Sequence, residues 1–162
     1  MRKFGVIVSS DSCYQGTQED TSGKAIVKFM EDRGYELDRI VILPDEREML
    51  ANELRAFVKD KTPLVLTTGG TGFSKRDVMP EATKDVIDRE AMGIVEAMRM
   101  KSLEITNRAM LSRAVAGIKD DTLIINMPGS KKAVLESLDI IIDAVEHGLN
   151  ILLGEESNCG RK

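Results

Sequence analysis

The chain has 162 residues, 42% of them hydrophobic, which is enough to bury the core of one domain and too few for two ordinary domains. Its formal net charge of −4 argues against nucleic acid as the main partner, because phosphate backbones are bound by basic surfaces. Two cysteines and one histidine are too few ligands for a zinc site. We expect one cytoplasmic domain over residues 1–162, with no membrane contact and a frayed tail over residues 155–162.

The first half of the chain alternates between apolar strand-like runs and helical patterns. Strands are predicted at residues 5–9 and 37–43, and a helix at residues 24–33 lies between them, after a polar and turn-rich loop. A second helix, with apolar residues at helical spacing from Met49 to Val58, follows the second strand. This alternation predicts a parallel sheet with right-handed crossovers, so the residues that end each strand should meet at one edge.

The stretch from residue 64 to residue 83 reads LVLTTGGTGFSKRDVMPEAT and is the centre of the prediction. A buried strand, which the two threonines end, is followed by three glycines within four positions and then by a first helical turn. Glycines at the carboxyl edge of a sheet let backbone N–H groups approach a ligand closely. The loop is therefore predicted to bind a phosphate-bearing ligand, and a merely solvated loop is the alternative.

In the second half, helices are predicted at residues 83–88 and 91–103, and the second of these is rich in methionine and could form a subunit contact. A short β segment at residues 114–118 turns directly into a strand at residues 123–126, which requires an antiparallel pair. A long closing helix follows the junction at residues 127–130. The pattern predicts a three-layer α/β/α domain, with a mostly parallel sheet and one antiparallel strand.

The predicted carboxyl edge gathers candidate ligand-binding residues from several loops. These candidates are Ser10, Asp11, Asp45, Thr68, Gly69, Gly70, Thr71, Gly72, Lys75, Arg76, Asp77, Asn126, Pro128, Gly129 and Ser130. Carboxylates beside glycine amides and a helix start suit a magnesium ion shared with substrate phosphates, which indicates phosphoryl or nucleotidyl transfer. Ser130 has two interpretations, since it could cap its own helix or bind a phosphate.

Several of these segments resemble a known family. The motifs that carry the resemblance are SDSCYQGTQEDTSG near the start, LPD at residues 43–45, the TTGGTGFSKRDVMPEAT stretch, SRAVAG at residues 112–117 and MPGSKKAV at residues 127–134. In this order they resemble the bacterial molybdenum-cofactor biosynthesis proteins of the molybdopterin-binding fold. The resemblance covers nearly the whole chain.

The resemblance implies a molybdopterin adenylyltransferase, which converts ATP and molybdopterin into adenylyl-molybdopterin and pyrophosphate with Mg²⁺. It implies that Asp45 and Asp77 are the catalytic residues that also hold the metal, because they occupy the positions of the aspartates in the LPD and RDV segments. It also implies a homotrimer and the transfer of the product to a separate molybdate-insertion protein. Two alternatives stay open: a non-catalytic molybdopterin-binding or carrier protein of the same pathway, and a family member that serves a tungsten pathway.

Overall fold

A six-stranded sheet forms the centre of the protein, whose computed structural model describes residues 1–155. Residues 156–162 of the tail that was expected to be frayed, including Cys159, lie outside the described residues. The strands are β1 (Lys3–Ser9), β2 (Glu36–Leu43), β3 (Leu64–Thr68), β4 (Arg89–Glu90), β5 (Ala116–Lys119) and β6 (Thr122–Met127). The helices are α1 (Asp11–Gln15), α2 (Ser22–Asp32), α3 (Arg47–Lys59), α4 (Met79–Lys84), α5 (Met92–Leu103) and α6 (Lys131–Leu152), with a 3₁₀ turn at Asn107–Leu111.

The strands are arranged in the order β2-β1-β3-β6-β5-β4. β1 pairs in parallel with β2 and β3, β3 pairs in parallel with β6, and β5 runs antiparallel to both of its neighbours. The predicted mixed sheet, with one strand running against the others, is confirmed. The chain passes from β1 to β2 on one side of β1 and then crosses to β3 on the other side. The sheet therefore has a topological switch point between β1 and β3, which is where α/β proteins bind ligands.

Helices cover both faces of the sheet, as the predicted three layers require. Along β1, Phe4, Val6 and Val8 pack into a core with α2, α5 and α6, whereas Ile7 packs into a second core with α3 and α4. The same alternation divides β3, where Val65 faces the second core. Buried on both faces, these strands are nearly continuous apolar runs, which is why composition alone predicted them.

Gly5 lies where β1 passes under the aromatic ring of Phe57. A Cβ atom on Gly5 would lie 2.2 Å from the Phe57 ring, so no larger residue fits there without a shift. The guanidinium carbon of Arg39 lies 3.8 Å from the centroid of the same ring. The ring is therefore in contact with both the strand and the guanidinium group.

Two predicted elements differ from the structure. The polar loop after β1 contains α1, because Ser10 caps it by accepting a hydrogen bond from the N–H of Cys13 and Gly16 ends it with a φ of 79°. The helix predicted at residues 83–88 is wrong: α4 begins at Met79 and ends at Lys84. The segment after it pairs with β5 instead, and this pairing forms β4. Within the described residues, no helix is long and apolar enough to cross a membrane.

Candidate active site at the carboxyl edge

Asp45 is held beside the end of β1 by three hydrogen bonds. Its Oδ1 accepts from the hydroxyl of Ser9 at 2.6 Å, and its Oδ2 accepts from the backbone N–H of Asp11 at 3.1 Å. In return, the backbone N–H of Asp45 donates to Oδ1 of Asp11 at 2.9 Å. These reciprocal bonds join the loop after β2 to the loop after β1, so two of the predicted site aspartates lie side by side.

The glycine loop, residues 69–77, begins with two glycines in the left-handed region, where φ is +87° at Gly69 and +71° at Gly70. A Cβ atom on Gly69 would lie 2.4 Å from the carbonyl oxygen of Ser9. Both the backbone conformation and the lack of space therefore exclude a side chain at this position. The loop can turn tightly over the end of β1 only because the residue is glycine.

Arg76 connects the glycine loop to the other two loops. Its Nε and Nη2 donate to the two carboxylate oxygens of Asp11, both at 3.0 Å, and Nη2 also donates to Glu46 at 2.9 Å. The hydrogen bonds from Arg76 hold the pKa of Asp11 below its ordinary value, and those to Asp11 and Glu46 raise the pKa of Arg76. Asp11 is therefore ionised at neutral pH, and the charge of Arg76 is balanced by protein carboxylates.

Asp77 folds back onto the glycine loop. Its Oδ2 accepts from the backbone N–H of Ser74 at 2.9 Å, and its own N–H donates to the carbonyl of Ser74 at 3.0 Å. A Cβ atom on Gly72 would lie 2.9 Å from Oδ2 of Asp77, and one on Gly70 would lie 3.5 Å from Oδ1 of Asp45. Both aspartates that the sequence singled out therefore border the same loop. Among residues 1–155, Oδ1 of Asp77 has no hydrogen-bond partner.

The loop after β6 lies against the glycine loop on its other side. The hydroxyl of Thr68 donates to the carbonyl of Pro128 at 2.6 Å, and a Cβ atom on Gly129 would lie 3.6 Å from the Cα of Gly69. Ser130 is the N-cap of α6, since its hydroxyl accepts from the N–H three residues later at 3.2 Å. The capping interpretation of Ser130 is confirmed, and its contact with a phosphate stays a prediction.

Two clefts open at this edge and share Gly129. The first cleft, of about 200 Å³, lies on the α1 and α2 side of the glycine loop; its lining includes Ser9, Ser10, Asp20, Thr68 and Gly69. The second cleft, of about 310 Å³, lies between the glycine loop, α5 and α6; its lining includes Thr71, Gly72, Arg99, Ser102, Pro128 and Ser137. Gly69 lines the first cleft and Thr71 and Gly72 line the second, so the start of the glycine loop and Gly129 lie between the two, whereas Asp45 and Asp77 line neither cleft.

Two predicted site residues, Asn126 and Lys75, lie outside the hydrogen-bond network that joins the loops of the site. Asn126 is fully buried, and its side chain accepts from the N–H of Val115 and donates to the hydroxyls of Thr67 and Thr83. It joins β6 to β3, α4 and the segment before β5, which is a structural role. Lys75 is exposed and has no hydrogen bond or ion pair to any of residues 1–155. Its positive charge is available to an anionic ligand.

The acidic groups at this edge suit a magnesium ion that is completed by a substrate. Among the described residues, no group of three or more His, Cys, Asp or Glu side chains could hold a metal by itself. Magnesium is usually bound by one or two carboxylates together with waters and substrate phosphates, and it does not need such a group. Asp45 and Asp77 at the glycine loop, the latter with an unpaired oxygen among residues 1–155, fit that donor set.

Three residues of this site were not among the sequence candidates. Ser9 donates to Asp45, Glu46 pairs with Arg76, and Arg113 donates to the carbonyl of Gly72 at 2.8 Å. Ser9 and Glu46 are each adjacent to a candidate, so a wider window around Ser10 and Asp45 would have included them. Arg113 belongs to the SRAVAG motif, which indicated the family but not the role of the residue.

A switch-point crevice with a glycine loop, paired carboxylates and the start of a long helix defines the class of α/β proteins that bind phosphate-bearing ligands. The family described as "Probable molybdopterin binding domain" matches residues 5–147. The chain belongs to this family. The family expected from the motifs is confirmed.

Individual relatives agree with this assignment. The chain is 38% identical over 164 residues to the molybdopterin adenylyltransferase of Helicobacter pylori strain J99, covering 98% of this chain and 92% of the relative. It is 42% identical over 158 residues to gephyrin of Dictyostelium discoideum, covering 91% of this chain but only 22% of gephyrin. Among solved structures, the molybdopterin biosynthesis enzyme MoaB of Thermus thermophilus is similar, with a TM-score of 0.90 and 38% identity, covering 95% of this chain and 98% of that one.

Proposed function

We propose that the protein is a molybdopterin adenylyltransferase, which uses ATP and Mg²⁺ to adenylylate molybdopterin. In this reaction the terminal phosphate oxygen of molybdopterin attacks the α-phosphorus of ATP. A new P–O bond forms, the bond from the α-phosphorus to the bridging oxygen of the β-phosphate breaks, and pyrophosphate leaves with that electron pair. The names of relatives that match almost their full length, such as the Helicobacter enzyme, support this assignment.

The observation that carries the proposal is the pair of clefts that share Gly129. Adenylyl transfer requires two substrates whose phosphates meet, and the two clefts lie on opposite sides of the glycine loop. A ligand in each would direct its phosphates to the shared boundary, where the loop amides and the start of α6 favour anions. A protein that only carried molybdopterin would need one of these spaces.

The charged side chains on and beside the glycine loop suit positioning and charge balance rather than strong acid–base chemistry. Asp45 and Asp77 would hold Mg²⁺, which when bound neutralises phosphate charge. Arg76 and Lys75 would contact phosphate oxygens, and the network of Ser9 and Asp11 keeps the Asp45 carboxylate in one orientation. Fixed geometry of this kind supplies rate by bringing the reacting atoms together.

Pyrophosphate release tests the proposal directly. The purified protein, incubated with ATP, Mg²⁺ and molybdopterin, is expected to release one pyrophosphate for each adenylyl-molybdopterin formed. Reactions without molybdopterin are the control for simple ATP hydrolysis. If molybdopterin binds in a titration but no pyrophosphate appears, the protein is a carrier and the adenylyltransferase assignment is wrong.

The quaternary structure, the cytoplasmic location and the transfer of product to a molybdate-insertion protein are further parts of the proposal. A homotrimer is supported by a patch of exposed apolar side chains on α5 and the turn that follows, namely Met100, Leu103, Ile105, Met110 and Leu111. Light scattering should give about three times the mass of the chain. A clean monomer would contradict the trimer, whereas a hexamer built of trimers would agree with it.

A further inference from the structure

Arg113 makes four hydrogen bonds to the glycine loop and α4. Its backbone N–H donates to the carbonyl of Thr71 at 2.9 Å. Its Nε donates to the carbonyl of Gly72 at 2.8 Å, its Nη2 to the carbonyl of Asp77 at 2.9 Å, and its Nη1 to Glu81. One guanidinium group therefore contacts both ends of the segment from residue 72 to residue 77.

The two carbonyls that it binds lie at the two ends of the turn that carries Asp77. Between them the chain makes a closed turn, in which Ser74 and Asp77 exchange hydrogen bonds through backbone and side-chain atoms. Phe73, Ser74 and Lys75 of this turn are exposed, and apart from Arg113 the turn is anchored by the hydrogen bonds from Arg76 to Asp11 and Glu46. The planar guanidinium therefore joins the backbone on both sides of the turn that carries the Asp77 carboxylate.

We propose that Arg113 is a positioning residue for the reaction, which clamps the segment from Gly72 to Asp77 and holds the Asp77 carboxylate where it can accept a magnesium ion. This inference rests on the proposed function in that Asp77 must meet a metal–phosphate complex. Arg113 itself does not touch the reacting atoms. A lysine could replace it only in part, because a single ammonium group lacks the planar fork that binds two carbonyls at fixed spacing.

Glu81 supports the clamp from the other side. Its Oε1 accepts from Arg113, and its Oε2 is buried without a hydrogen-bond partner among residues 1–155. Because one oxygen of this half-buried carboxylate is shielded from water, losing the cation would be unfavourable, so Glu81 keeps the guanidinium in place and is in turn neutralised by it. The charge of Arg113 is thus used within the protein, and its remaining N–H groups are directed at main-chain oxygens.

A hydrogen-exchange comparison tests the clamp without relying on activity. In Arg113→Ala the amides of Ser74 and Asp77 should exchange on the order of tenfold faster, because the turn opens locally. The matched control is Arg39→Ala, since Arg39 also binds three acceptor groups and is similarly buried, with 31% of its side chain exposed against 34% for Arg113. Arg39 lies on β2 with partners outside the site, so exchange at Ser74 and Asp77 should not change.

The kinetic test compares the wild-type protein, Arg113→Ala and Arg39→Ala with ATP, Mg²⁺ and molybdopterin as substrates and metal. For Arg113→Ala we expect kcat to fall about 100-fold, with KM for both substrates changed little and a higher Mg²⁺ concentration needed for half-maximal rate. Millimolar guanidinium ion should restore part of the rate, and methylammonium should not. Arg113→Lys should show the same changes to a smaller extent, and it serves as the test protein if the alanine variant does not fold.

The outcomes separate the clamp from the proposed function. Unchanged exchange at Ser74 and Asp77, or an activity loss that only follows the folded fraction measured by circular dichroism, would overturn the role of Arg113. If the wild-type protein releases no pyrophosphate, the proposed function fails. The exchange rates alone would then decide whether Arg113 holds Asp77.

Discussion

Two arginine-centred networks stabilise different parts of this molecule in different ways. Arg39 donates to Glu53, Asp38 and Asp60, and its guanidinium lies over the ring of Phe57. Its contacts lie on β2, on α3 and at the end of α3, and the ring beneath it belongs to the core. Arg39 therefore acts as part of the packing of regular elements.

The network of Arg76 joins loops and helix starts, and it includes neither a long strand nor the body of a long helix. Arg76, Asp11 and Glu46 come from the glycine loop, the start of a five-residue helix and the residue before α3. More than half of the Arg76 side chain is exposed, and exposed ion pairs contribute little to stability. Arg76 instead holds three loops against each other. Substrate phosphates can compete with the carboxylates of Asp11 and Glu46 for its guanidinium group. Arg39 thus stabilises the fold, whereas Arg76 organises the loops of the candidate site.

The largest expected effect is the loss of turnover on replacing either site aspartate. Asp77→Asn and Asp45→Asn should each lower kcat by at least about 100-fold, because a charge that positions the metal and phosphates is removed. The free energy of unfolding should change by only about 0.5 kcal/mol, since both residues lie in loops. Pyrophosphate release and thermal melting measure the two quantities. Full activity with a normal Mg²⁺ requirement in either variant would remove that residue from the catalytic site.

Replacing the two arginines in turn should separate stability from substrate binding. Arg39→Ala is expected to lower the free energy of unfolding by about 2 kcal/mol, because the Phe57 ring loses its cover and three carboxylates lose their cation. Arg76→Ala should leave stability almost unchanged and raise KM for ATP several-fold. Urea titration and steady-state kinetics of both variants decide this. Equal stability losses would show that the two networks do not differ in this way.

Ser130 caps α6 and also lies at the edge of the candidate site, so replacing it tests whether one residue both stabilises the helix and binds the ligand. Ser130→Ala removes the cap of α6 and should lower the free energy of unfolding by about 1 kcal/mol. We also expect several-fold weaker binding of molybdopterin, measured by titration, if the hydroxyl and nearby amides contact its phosphate. Unchanged affinity together with the stability loss would leave Ser130 as a helix cap alone.

The smallest expected effect is the pH dependence of the Asp11–Arg76 pair. The pKa of Asp11 is lowered in the folded protein, so its contribution to stability is complete above the ordinary aspartate pKa of about 3.9 and is lost as the pH falls through the lowered value. Urea midpoints from pH 7 to pH 5 should therefore be unaffected by this group. Below about pH 4, Asp11→Asn should lose stability less steeply than the wild-type protein. Parallel curves at low pH would contradict the pairing.

The sequence predicted most of the fold because the central strands β1, β3 and β6 are buried on both faces and read as apolar runs. It missed β4, since Arg89 and Glu90 carry no apolar signal and their pairing depends on a partner, β5, that is distant in the chain. It missed α1 for a related reason: the loop is polar, and only the caps at Ser10 and Gly16 reveal the helix. Helix caps and pairing with a distant strand leave little trace in amino-acid composition, so a prediction from composition does not detect them.

At the site, residues adjacent to glycines were predicted more successfully than residues that contact them from elsewhere. The glycine loop could be recognised because glycines and charges are contiguous there. Arg113 reaches the loop from a position 36 residues beyond Asp77, which no spacing rule connects. Asn126 was included because it ends a strand at the correct edge, but the sequence does not reveal that its amide is fully used inside the sheet.

The contact of Gly5 with Phe57 also makes these two positions dependent on each other in evolution. Any side chain at Gly5 would displace the ring, and a smaller residue at Phe57 would leave space that only a larger residue at Gly5 could fill. Homologous sequences should therefore show covariation: where position 5 is alanine, position 57 should be smaller than phenylalanine. Arg39 should vary together with them, because its guanidinium stacks on an aromatic ring that is then absent.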